Sequence, residues 1–139
     1  LFVPPLDIND SNIPNGNSIF LLNCKKLEAI TGESKWKDMT KILSQSFHSF
    51  LNLQSTQMVS YIKNLDICEE LQTFTFFGSI NKNRELQNFV KKNYLKSSTI
   101  IYKSDSKENY MIVCKNQTCS NKIKTLEEAK AVVKNYAIQ

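Results

Sequence analysis

Two short stretches of this chain hold residue types that can do chemistry. One is Cys114-Lys-Asn-Gln-Thr-Cys119, which follows the strand-like run Tyr110-Met-Ile-Val113 and precedes a capped helix opening at Thr125. Two thiols at that separation can close a disulfide, share a soft metal, or simply pack. A thioredoxin-type pair has two intervening residues at a helix N-terminus; here there are four, and the helix starts later, so that chemistry does not fit. Zinc takes about four ligands, and His48, the single histidine, sits on a different predicted helix. A structural role, as a loop staple or two packed thiols, is the favoured reading, ahead of a reversible disulfide or a metal clip.

The other stretch is Asp10-Ser-Asn-Ile-Pro-Asn-Gly-Asn-Ser18, which leads directly into an amphipathic helix. Asp10 is the candidate acid or base. Asn15, Asn17 and Ser18 are the candidate pocket-lining groups. A single carboxylate needs a partner to work as half of an acid–base pair, and short polar side chains before a helix commonly serve as caps. The capping reading therefore stands beside the catalytic one. His48 reads as a partly exposed helical histidine, and Trp36 and the phenylalanines at 74, 76 and 77 read as core.

The elements that position these stretches fall into two halves. In the first, Asn17 or Ser18 is expected to cap a helix carrying Phe20, Cys24 and Leu27, which ends at Thr31-Gly32, where glycine tolerates a left-handed stop. Ser34 is expected to cap a second helix with Trp36, Met39, Leu43, Phe47 and Phe50 at 3.6 spacing. After a break near residues 52–55, a third helix bears Met58, Tyr61, Ile62 and Leu65. Short connections make these an antiparallel helical set.

From about Leu71 the pattern changes to β-α-β-β-α. It comprises Thr73–Phe77, a helix with Leu86, Phe89, Val90 and Tyr94, then Thr99–Tyr102, the strand before Cys114, and a last helix with Ala129, Val132, Val133 and Tyr136. The helical crossover predicts parallel pairing of the first two strands, and the short polar turn at 104–109 predicts a hairpin. The fold class is α+β, with residues 1–70 helical and 71–139 a small α/β lobe.

Composition bounds the function. The net charge is +5, but the lysines are dispersed and Arg84 is the only arginine, so no specific nucleic-acid partner is expected. No apolar run reaches the roughly 20 residues of a membrane span. Four scattered cysteines point to a reducing, cytoplasmic setting. No cofactor is called for. The start at Leu1, without a basic flank or an initiator Met, suggests a fragment or processed chain.

The two islands also carry a resemblance. Asp10-Ser-Asn-Ile-Pro-Asn-Gly-Asn-Ser18, a helix ending Ile30-Thr-Gly32, Phe76-Phe-Gly-Ser79 and Val113-Cys-Lys-Asn-Gln-Thr-Cys119 occur in the order of similar elements in one family. That family joins an N-terminal thioredoxin-like domain to an α/α toroid, and its mammalian member is called spermatogenesis-associated. Asn15 replaces the family's serine, Ser11-Asn12 its Gly-Ala, and Lys115 its acidic residue after the first cysteine. The resemblance implies that this chain is a non-catalytic C-terminal portion that closes the toroid. Its partners would be the upstream domains of the same protein. A sugar-processing pocket at the toroid mouth, lined by Asp10 and Asn17, is the alternative that the resemblance offers.

Overall fold

A computed structural model describes residues 9–11, 13–94, 98–115 and 118–137. The chain is a mixed α+β protein of two compact units, Leu1–Glu69 and Glu70–Gln139.

The first unit holds α1 (Gly16–Thr31), α2 (Ser34–Gln54), a 3-10 turn (Ser55–Gln57) and α3 (Val59–Glu69). Its core is Leu21, Phe47, Met58 and Tyr61, with Leu43, Phe50, Leu51 and Leu65 packed around them. Along α2 (Leu43, Phe47, Phe50, Leu51) and α3 (Tyr61, Leu65) these residues recur three or four apart, so each of those helices turns an apolar stripe inward. Phe47 and Tyr61 meet at 4.6 Å between ring centroids. Gly32 ends α1 at φ 70°, and its amide donates to the Glu28 carbonyl. The helix starts earlier than expected. Asn15, not Asn17 or Ser18, is its cap, because Asn15 Oδ1 accepts from both of those amides. Ser34 likewise lies inside α2 rather than capping it.

The second unit runs β1 (Gln72–Phe77), α4 (Arg84–Tyr94), β2 (Ser98–Lys103), β3 (Tyr110–Lys115), β4 (Thr118–Cys119) and α5 (Leu126–Ala137). The strand order is β2-β1-β3-β4, with β1 parallel to β2 and antiparallel to β3. The crossover through α4 pairs in parallel as expected. The expected hairpin between the strands around Thr99–Tyr102 and before Cys114 does not form. Instead, the 104–109 loop carries the chain past the end of β1, and β3 joins β1 on its other side.

Gly78 makes that crossing possible. It holds φ 85°, and a Cβ there would stand 2.5 Å from the Glu108 carbonyl oxygen. The loop is tied down by Gly78 donating to the Lys103 carbonyl (2.8 Å) and by the Ser79 amide donating to Asn109 Oδ1 (2.9 Å).

Strand alternation sends Phe74 and Phe76 to one face, where Leu86, Val90, Met111, Val113, Ile123 and Ala129 complete a buried core. Both α4 and α5 contribute to that core. Phe77, which reads as core in the sequence, is only partly buried, and within its own unit no described element covers the face that bears it. The capping box of α5 forms as expected: Glu128 Oε2 accepts from the Lys124 and Thr125 amides, and Thr125 Oγ1 accepts from the Glu128 amide. Tyr94, Val133 and Tyr136, expected among the packed residues, have side chains outside the described set.

Candidate functional site

The polar island before α1 is built as a double cap. Asn15 is buried, and besides accepting from Asn17 and Ser18 it receives the hydroxyl of Ser18 on its carbonyl at 2.7 Å. Ser18 is fully buried, and its carbonyl accepts Asn64 Nδ2 from α3 at 2.9 Å. Asp10 works at longer range. Its Oδ1 accepts the Asn15 amide at 2.8 Å and its Oδ2 accepts the Ser60 amide at 2.6 Å. Its own amide donates to the Gln57 carbonyl at 2.7 Å.

One carboxylate thus fastens the island to the first turn of α3, whose amides have no partner within the helix. Partial burial pulls the Asp10 carboxyl upward, but the amides of Ser60 and Asn15 outweigh it and hold the pKa below the usual aspartate value. A carboxylate held ionised in this way is poorly placed to deliver a proton near neutral pH.

Sequence reasoning missed Gln57, Ser60 and Asn64 as members of this constellation. Only Asn64 left a signal. It stands on the inner side of α3 between Tyr61 and Leu65, where a buried amide needs a partner.

The thiol pair is bonded. Cys114 and Cys119 are joined by a disulfide across β3 and β4, with their Cα atoms 4.0 Å apart. The Ser120 amide donates to the Val113 carbonyl at the next position. The two cysteines therefore face each other between ladder hydrogen bonds, where opposed strands come closest. Lys115 beside them pairs with Glu70 at 2.6 Å. Cys24 and Cys68 are free thiols, and burial pushes the Cys68 thiol up to about 11 despite Lys25 and Lys26 nearby. Among the described residues no group of three or more His, Cys, Asp or Glu is placed to hold a metal ion.

Two surface clefts lie among the described residues. One, of about 380 Å³, lies beside His48 and is lined also by Ser44, Gln45, Tyr61 and Leu65. The Tyr61 hydroxyl donates to the Ser44 carbonyl there at 3.4 Å. The other, of about 590 Å³, lies at the carboxyl ends of β1 and β2, between the 78–82 and 104–109 segments, and includes Lys82 and Lys107. No helix among the described residues is long and apolar enough to cross a membrane. No family model, curated protein or solved structure matches the chain.

Proposed function

We propose that this chain is a non-catalytic segment of a larger thioredoxin-domain, α-toroid protein, in which the helical unit closes the toroid and the α/β unit is an appended lobe. The observation that carries the reading is a set of large apolar side chains left exposed on α1. Leu21 and Cys24 face the unit's own core, while Ile19 and Ile30 lie on the other side, 41% and 51% exposed, and Phe20, at the flank beside Cys24, is 42% exposed. A helix with large apolar side chains exposed away from its own core has further surface to bury against a neighbour. Ile42 on α2 and Val59 on α3 add to the uncovered apolar surface.

The upstream domains of the same polypeptide are the partners this reading requires. Its test is the isolated chain in solution, which is expected to associate and to bind a hydrophobic dye. The double change Ile19→Ser and Phe20→Ser should abolish both without unfolding the chain. A monomeric, dye-silent wild-type chain would sink the proposal.

A thiol-redox element at Cys114 and Cys119 is the second reading, supported by the bond between them. A sugar-processing pocket around Asp10, Asn15, Asn17 and Ser18 draws less support, since the side chains of Asp10, Asn15 and Ser18 are engaged in hydrogen bonds to the backbone. A cytoplasmic location accords with the free Cys24 and Cys68, whereas the bonded pair accords with an oxidising compartment. Trapping the thiols with an alkylating agent at the moment of cell lysis separates the two.

A further inference from the structure

The fold gathers charge that the sequence scatters. Residues 70–139 carry twelve Lys and Arg against six Asp and Glu, a net +6, whereas residues 1–69 carry six against seven. The excess is therefore a property of the α/β unit alone. At one end of its sheet, four side chains form a row across three strands on the face that α4 and α5 leave uncovered. Lys103 Nζ lies 5.7 Å from the Phe77 ring centroid. Phe77 stacks on Tyr110 at 4.6 Å and 13°. Lys122 Nζ lies 4.6 Å from the Tyr110 ring. Phe77 pairs with Lys103 on one side and with Tyr110 on the other, so the row follows directly from the register.

The cleft of about 590 Å³ begins where this row stops. Gly78 follows Phe77, Ser104 follows Lys103 and Asn109 precedes Tyr110, and all three line it together with Lys82 and Lys107. Lys82, Lys103 and Lys107 make no ion pair among the described residues, whereas Lys122 and Lys124 share Glu108. Two stacked rings with the Lys103 ammonium over one of them, and Lys82 and Lys107 in the adjoining cleft, match a ligand that alternates flat aromatic groups with negative charges.

We infer that this end of the α/β unit binds single-stranded nucleic acid without sequence preference. Phosphates take Lys82, Lys103 and Lys107. A base entering beside Phe77 displaces the Lys103 ammonium from the ring onto a phosphate, so that one movement makes both contacts. Stacking on aromatic side chains is tolerant of base identity because every base has a π face. Proteins of this kind combine such rings with a cationic groove.

The experiment is anisotropy of the 139-residue chain with a labelled mixed-sequence single strand of about 12 nucleotides, at about 50 mM and about 200 mM salt. Binding should weaken with salt, with a log–log slope of about −2 for three phosphate contacts. Lys103→Gln with Lys107→Gln should reduce affinity about tenfold and flatten that slope. Phe77→Leu and Tyr110→Leu, which keep apolar bulk on the sheet, should each cost about tenfold. Lys91→Gln with Lys92→Gln, in the last turn of α4 at the opposite end of the sheet, should change nothing.

Absence of binding at the lower salt overturns the inference. So does a loss from the Lys91/Lys92 pair equal to that from Lys103/Lys107. Indifference to both ring changes reduces the site to general polyanion attraction, and displacement by inorganic phosphate alone makes it a small-anion site; either outcome also overturns it.

Discussion

Asp10 Oδ2 accepts the Ser60 amide at 2.6 Å across fifty positions of sequence, and through that bond the segment before α1 becomes part of the start of α3. Replacing Asp10 by Ala leaves that amide and the Asn15 amide without their acceptor, and should destabilise the helical unit by about 1–2 kcal/mol.

The same carboxylate sets a pH dependence. Its folded pKa is depressed, so its contribution is complete above the unfolded-state value of about 3.9 and disappears as pH falls through the folded value. Urea unfolding of wild type and Asp10→Ala should therefore show a gap at neutral pH that narrows in acid. A gap that stays constant into acid would mean that the carboxylate charge is not what stabilises the cap.

Gly78→Ala should be far more damaging than a glycine change at an open turn. The new methyl would meet the Glu108 carbonyl at 2.5 Å while the backbone is held at φ 85°. A left-handed backbone alone costs about 1–2 kcal/mol for a residue with a Cβ, and the clash adds to it. Loss of at least about 2 kcal/mol from the α/β unit is the expected result in denaturant unfolding. Gly16→Ala is the control, since nothing stands within 4 Å of a Cβ there, and it should be nearly silent.

The free thiols should be slow to react. Burial raises both, and it takes Cys68 to about 11, so its thiolate is scarce at neutral pH. Alkylation of the native chain should crawl at pH 7 and accelerate at Cys68 with each rise in pH toward 11. Full alkylation under denaturing conditions should take two groups without reductant and four with it. Rapid labelling of Cys68 at pH 7 would mean that its surroundings open readily.

What the sequence reveals here divides by range. Helix periods, the Gly32 stop, the Thr125–Glu128 capping box and the inward pair Phe74 and Phe76 are local patterns, and each is legible from spacing alone. The pairing of β3 with the far side of β1 is not local. A six-residue polar loop reads as a hairpin, and only the combination of positive φ at Gly78 with the backbone of Glu108 reveals the crossing. Strand β4 escaped because two residues, Thr118 and Cys119, are too few to show alternation. The polar island was visible as an anomaly, but its long-range acceptor role at Ser60 was not, since nothing in a serine amide marks it as uncapped.

The disulfide should hold β4 and little else. It closes a short loop, so chain-entropy arguments give it about 2 kcal/mol. Beyond it, Met111 and Ile123 exchange two backbone hydrogen bonds at 2.8 Å, and the Ile123 side chain is buried in the core. Reduction should therefore loosen the hairpin end without releasing the chain that follows. In hydrogen exchange, the Ser120 amide should lose protection on reduction, while the Ile123 amide keeps most of its own. Equal deprotection of both would mean that the Cys114–Cys119 bond supports the whole β3 edge, and that the Ile123 anchor does not stand without it.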